Sequence, residues 1–240
     1  MMKKSVKNII QCRDAMELLK SLPDRTIDFV FTDPPYSQEA HSRGWDINKN
    51  RRLYKDMAEW TNDKNNFYSA EWLDEYMRVC IRPNIFLFCN EKEIPGLLNY
   101  AKKHKLKSTR LIPIIKETPV PFSNNNWLSN EFGVHLCGER LGYNDDYHYK
   151  IPYFMFSSGK GDTQHPNEKP LSVCRKIILN CSRPGDTILD PFTGSGSIPC
   201  ACIREGRDYI ASDINKNFVK WAKLRAVQHG QTMEFPFDPF

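Results

Sequence analysis

The sequence predicts an α/β fold with a mostly parallel sheet. Short apolar runs rich in β-branched and aromatic residues recur along the chain, and segments with apolar residues at helical spacing separate them. Two of these runs end in motifs suited to the carboxyl edge of such a sheet, where open α/β folds bind their ligands. The motifs are Asp33-Pro34-Pro35-Tyr36 and Asp190-Pro191-Phe192-Thr193-Gly194-Ser195-Gly196-Ser197.

A chain of 240 residues, 40% apolar and 26% charged, is long enough for one domain with a sizeable core. Its formal net charge of +5 leans toward a polyanionic partner. The eight cysteines lie in apolar segments without C-x-x-C spacing, and none pairs with a histidine at zinc-ligand spacing. They read as reduced thiols of a cytoplasmic protein with no metal centre. The basic start from Met1 to Lys7 lacks the apolar core of a signal peptide. No run approaches the roughly 18 apolar residues of a membrane span, so no membrane association is expected.

The elements follow in order. Asn8 to Cys12 reads as a strand and Ala15 to Leu22 as a helix, with Asp14 where an N-cap belongs. Ile27 to Phe31 is a buried strand. Pro34 and Pro35 must end it, since neither can donate to a ladder and each restricts the residue before it. Asp33 and Tyr36 are thereby held on stiff backbone at a strand end. A carboxylate, an unpaired proline carbonyl and an aromatic ring in so short a span can accept hydrogen bonds from an exocyclic amine and stack on the planar ring that carries it. A proline turn with a surface aspartate and a packing tyrosine is the plainer reading of the same residues.

The polar stretch 37–69 interleaves Arg43, Lys49, Arg51, Arg52, Lys55 and Lys64 with Trp45 and Trp60, the composition either of a mobile loop that meets nucleic acid or of a plain solvated connection. Ala70 to Cys80 is an amphipathic helix, Asn84 to Cys89 a buried strand, Pro95 to Lys105 a proline-opened helix, and Thr109 to Lys116 a strand. The stretch 117–163, rich in Pro, Asn, Gly and Tyr, reads as irregular and is expected to form a small target-recognition region. The regular pattern then resumes, with helix Leu171 to Cys181, strand Thr187 to Asp190, helix Ile198 to Glu205, strand Asp208 to Asp213 and helix Asn217 to Gln228.

Gly194-x-Gly196 between a strand and a helix makes a nucleotide-cofactor turn, because glycines let a ligand approach backbone amides at a helix N-terminus. A dinucleotide fingerprint needs a third glycine, and position 199 is Pro. Asp213 ends the next strand, about 20 residues on, where an acidic side chain can bind the two hydroxyls of a ribose. The expected cofactor is a nucleoside with no pyrophosphate to cradle.

Asp33-Pro34-Pro35-Tyr36, His165-Pro166-Asn167-Glu168-Lys169-Pro170 and the segment Asp190 to Ser197, in that order, resemble the β class of amino-group DNA methyltransferases. That class places its catalytic tetrapeptide before the recognition region and its S-adenosylmethionine loop after it. The resemblance spans nearly the whole chain and implies a single Rossmann-like S-adenosylmethionine-dependent methyltransferase domain with permuted motif order.

By position it implies that Asp33, Pro34, Pro35 and Tyr36 are catalytic, and that Asp190, Pro191, Phe192, Gly194, Ser195, Gly196 and Ser197 form the cofactor loop. Asp213 is implied as ribose ligand, Asp14 as the reader of the cofactor adenine, and His165, Lys169 and Pro170 as the part that meets the methionine end. In two places the chain departs from the pattern: Asp213 stands where Glu is common, and Ser197 where Thr is.

The implied substrate is double-stranded DNA, with the target base flipped out at an expense of roughly a few kcal/mol and Tyr36 stacking on it. Direct attack on the methyl group needs no cysteine nucleophile, so Cys200, after Pro199, is assigned to packing. Asp before Pro-Pro-Tyr tilts the class toward N6 of adenine. N4-cytosine methylation, a catalytically silent DNA-binding module and methylation of RNA or a protein amide are the alternatives. Members of the class often pair, so a homodimer is compatible with it.

Overall fold

A computed structural model describes residues 7–35, 66–117, 131–141, 151–156 and 168–231. The strands are β1 (Ile9–Cys12), β2 (Phe29–Thr32), β3 (Asn84–Cys89), β4 (Arg110–Lys116), β5 (Glu131–Cys137), β6 (Phe154–Phe156), β7 (Thr187–Asp190) and β8 (Asp208–Asp213). The helices are α1 (Ala15–Ser21), α2 (Ala70–Val79), α3 (Ile94–Lys103), α4 (Leu171–Cys181), α5 (Ser197–Arg204) and α6 (Lys216–Gln231). All eight strands join one sheet in the order β1-β8-β7-β2-β3-β5-β4-β6. Each neighbouring pair is parallel except those made by β5.

Residue alternation divides the core. Phe29, Phe31, Phe86 and Phe88 project onto one face, where Val173 and Ile177 of α4, Ile198 of α5 and Ala222 of α6 cover them. Val30, Ile85 and Leu87 project onto the other, against Leu18 and Leu19 of α1, Leu73 and Tyr76 of α2 and Leu97 of α3. Burial on both faces is why the central strands read as unbroken apolar runs rather than alternating ones. Predicted and observed elements agree to within a residue or two at most ends. Ile27, read as strand, makes only an isolated bridge to Cys80, and β2 runs on to Thr32.

The stretch 117–163 departs from its irregular reading. It supplies β5, which inserts antiparallel between β3 and β4, and the edge strand β6. Glycine and histidine interrupt the β5 sequence and hide its strand character, yet both sit there for packing reasons. Gly133 lies opposite Phe88, and a Cβ at that position would come within 2.2 Å of the Phe86 ring. His135, opposite Phe86, is half-buried and neutral, its pKa lowered to about 4 by desolvation, and its Nε2 lies 2.9 Å from Asn84 Oδ1. The remainder of the stretch, and residues 37–65 of the expected DNA loop, lie outside the described residues. Among the described residues, no helix is long and apolar enough to cross a membrane, and no group of His, Cys, Asp and Glu is arranged to hold a metal ion.

Because the Phe86 ring occupies the space beside Gly133, Gly133→Ala should destabilise the fold by about 1–3 kcal/mol through overpacking. Urea unfolding measures this, and an unchanged midpoint would mean the ring moves aside at no expense.

Candidate functional site

The carboxyl ends of β2 and β7 lie side by side, because these strands pair in parallel with Val30 opposite Leu189. Chain positions far apart in sequence therefore meet: Thr32 Oγ1 donates to Asp190 Oδ1 at 2.7 Å. Asp190 is 1% exposed, and its Oδ2 has no hydrogen-bond partner among the described residues. Burial pushes its carboxyl up to about 7, against the nearby hydroxyls of Thr32 and Thr193 and the Phe192 amide, which lower it.

Beyond Asp190 the glycine loop turns back on itself. Gly194 and Gly196 have positive φ, 49° and 82°, and a Cβ on Gly196 would fall 2.8 Å from that of Ala222 in α6. Only glycine meets both demands at position 196. The loop is tied to β8, with Thr193 N–H donating to Ser212 O at 2.8 Å and Gly194 N–H to Asp213 Oδ2 at 2.9 Å. Asn215 N–H donates to the other oxygen of Asp213 at 2.8 Å. These amides lower the Asp213 pKa, but burial outweighs them and raises it. Each carboxylate oxygen offers about two lone-pair sites, so the amides orient the group without exhausting its acceptors.

Arg225 of α6, 7% exposed, holds the loop from behind. Its Nη1 donates to Ser195 O at 3.0 Å and lies within 3.3 Å of Ser197 Oγ, while Nη2 pairs with Glu168 Oε1 at 2.5 Å. One guanidinium thus ties the glycine loop to Glu168, just before α4. Sequence reasoning missed it, since an arginine in an amphipathic helix reads as a solvated residue.

At the end of β2, Asp33 is half-buried and Pro34 buried. Lys169, 6% exposed, places its Nζ 3.0 Å from Asp33 Oδ2, 3.2 Å from Glu131 Oε2 and 5.1 Å from the centre of the Phe88 ring. Burial alone would lower the Lys169 pKa, but the two carboxylates outweigh it and hold the ammonium charged. Glu131 also takes an ion pair from Lys116 at 2.5 Å. Burial would raise Glu131, yet Lys169 and Lys116 bring it down to about 2. Tyr68 Oη lies 2.7 Å from Phe88 O and 3.2 Å from Pro34 O, so a hydroxyl donor sits against the Pro34 carbonyl. Glu131, Lys116 and Tyr68 carried no motif that could have flagged them.

Asp14 ends the β1 side of the same edge. Its Oδ1 caps α1, accepting from Met16 and Glu17 N–H at 2.9 and 3.0 Å, and the preceding Arg13 N–H donates to Asp213 O at 3.1 Å. The cap reading is therefore realised, at a point adjoining Asp213. Pro170 is the N-cap residue of α4, and Pro191 O accepts from Ser212 Oγ at 3.2 Å. Phe192 packs against Phe67 and Trp72, with ring centres 4.9 and 5.6 Å away, which carries the aromatic lining past the predicted loop. Cys200 is fully buried with its thiol pushed up to about 11 by burial. Tyr36 and His165 lie outside the described residues.

Comparison with known proteins places this arrangement. The N6_N4_Mtase family model, described as DNA methylase, matches residues 143–224. The type II methyltransferase M.HpaI of Haemophilus parainfluenzae is 27% identical over 240 residues, covering 89% of this chain and 72% of that protein. The crystal structure of the M1.HpyAVI–SAM complex superposes with a TM-score of 0.66 at 24% identity, over 90% of this chain and 98% of the other. The cytosine-N4-specific PvuII DNA methyltransferase superposes at 0.63 with 12% identity, over 98% of this chain and 89% of the other. The chain thus shares the fold of these solved DNA methyltransferases, and over residues 143–224 it is similar in sequence to the N6_N4_Mtase family.

Proposed function

We propose that this chain is a site-specific DNA methyltransferase that uses S-adenosylmethionine to methylate the exocyclic amine of a flipped-out base, N6 of adenine. The observation that carries the reading is the meeting of Asp33 and Asp190 at adjacent strand ends, joined through Thr32. An amine-orienting site and a nucleoside-binding loop then open on one edge of the sheet.

The residues fit the cofactor. The buried Asp190 carboxylate keeps acceptor capacity at Oδ2, Asp213 is oriented by backbone amides with acceptor capacity left for ribose hydroxyls, and Asp14 adjoins it for the adenine. Bound there, S-adenosylmethionine supplies an electrophilic methyl group on a sulfonium. The chain's own task is to make the amine nucleophilic, since its lone pair is delocalised into the base. Asp33 carboxylate and Pro34 carbonyl accept its two hydrogens, drawing the nitrogen toward tetrahedral geometry and localising the pair. Lys169 keeps charge balanced at Asp33, and Tyr68 steadies the Pro34 carbonyl. Alignment of the reacting groups supplies most of the acceleration. Tyr36 is assigned to stacking on the base, worth about 1–3 kcal/mol, and His165 and Lys169 to the methionine end. Stretches 37–69 and 117–163 are assigned to DNA contact on their composition. Adenine is favoured because Asp rather than Ser precedes Pro34-Pro35-Tyr36.

Incubation with unmethylated DNA and labelled cofactor, followed by nucleoside mass spectrometry, should yield N6-methyl-2′-deoxyadenosine. N4-methylcytosine would reassign the base, and no product would overturn the reading. Asp33→Ala should abolish turnover while cofactor affinity stays within about threefold, since Asp33 acts on the amine; near-normal turnover in that variant would sink the mechanism.

Asp190 carries a pH signature. Its pKa in the fold, about 7, lies above that of the unfolded chain, so the fold holds this proton more tightly. That stabilisation is complete below the ordinary aspartate range and is lost as pH rises through about 7. A cationic ligand favours the ionised carboxylate, so cofactor affinity should fall by up to about tenfold per pH unit below 7. Calorimetry and denaturant melts between pH 5 and 8 should show both trends, and Asp190→Asn should remove them. Persistence of both in Asp190→Asn would assign the titration to another group.

A further inference from the structure

We propose that Glu131 is a positioning residue of the methyl-transfer site, acting through Lys169 on Asp33 with Lys116 as its outer counter-charge. The proposal rests on Asp33 being the amine-orienting group. Glu131 reaches the site because β5 runs antiparallel to its neighbours: its first residue, rather than its last, lies at the carboxyl edge, with Phe132 opposite Cys89 and Glu131 opposite Ile114. A parallel strand would have delivered its other end. The four charges alternate in one line from the β4 side to the end of β2: Lys116, Glu131, Lys169, Asp33.

Their sum is zero, and the inner members are secluded, with side-chain exposures of 7% for Lys169 and 19% for Glu131. A buried ammonium held between two carboxylates divides its attraction between them. With Glu131 neutral, a larger share of that attraction falls on Asp33. Nζ is drawn onto the carboxylate, and the group that must accept a hydrogen from the amine becomes a tighter partner of the lysine. Glu131 therefore moderates the Lys169–Asp33 pair, and Lys116 in turn keeps Glu131 ionised and fixed. The Phe88 ring beneath Nζ confines the ammonium to this line.

Glu131→Gln preserves shape and removes one charge. Single-turnover methylation should slow about 10- to 100-fold, the scale of a displaced reacting group. Cofactor Kd and KM for DNA should stay within about threefold. The discriminating measurement is a double-mutant cycle: in a Lys169→Met background, Glu131→Gln should add less than about twofold, since its effect passes through the absent ammonium. Full additivity, or an unchanged rate in Glu131→Gln, overturns the proposal.

A second readout needs no activity. In the enzyme without cofactor, the 15N ammonium resonance of Lys169 should shift in Glu131→Gln and in Asp33→Asn, and a resonance unmoved by Glu131→Gln also overturns the proposal. Should Glu131→Gln fail to fold, Lys116→Met takes its place in both measurements, with an expected slowing of about two- to fivefold that vanishes in the Lys169→Met background. Variants that move the resonance as expected, with a wild-type enzyme that methylates no DNA, would refute the methyltransferase reading while leaving the ion line intact.

Discussion

The parallel pairing of β2 with β7 is the constraint on which the site depends. Each strand is followed by residues that cannot continue it, prolines after Asp33 and a glycine loop after Pro191, so both chains leave the sheet at the same edge. The hydrogen bond from Thr32 to Asp190 locks the two exits together inside the core. Without that adjacency the proline turn after β2 and the glycine loop after β7 would be separate turns at distant points of the sheet.

Two buried cations organise what surrounds this edge. Arg225 binds the back of the glycine loop and Glu168 together, and Lys169, the next residue along, bridges Asp33 and Glu131. Glu168 and Lys169 thus link the glycine loop to the end of β2 through consecutive side chains of opposite sign. Taking such charges out of water is expensive unless each is paired, and each of these five has a partner within 3.2 Å. Burial and pairing together fix the charge state of the site and the positions of its acceptors.

The motifs and most regular elements were legible in the sequence because local chemistry dictates them. Proline restriction ends β2 whatever surrounds it, the positive φ of Gly194 and Gly196 is a backbone demand, and both-face burial writes itself as continuous apolar runs at β3 and β7. β5 was not legible, since Gly133 and His135 break the alternation that marks a strand and are explained only by the Phe86 ring and by Asn84 across the sheet.

The sequence by itself determined the chemistry on offer: a carboxylate before two prolines, a glycine loop after a strand, an aspartate ending the next strand, and their order along the chain. Tertiary structure alone decided which side chains finish the site. Glu131, Lys116, Arg225 and Tyr68 have no local signature, because their role comes from partners distant in sequence, and the direction of β5 or the face of α6 that meets the loop is set by packing. Lys169 was visible as part of a motif, but its position between Asp33 and Glu131 depends on a strand inserted from a stretch that reads as irregular. Spacing along a chain records what a residue can do locally, whereas a buried ion line forms only when the sheet has brought its members to one edge.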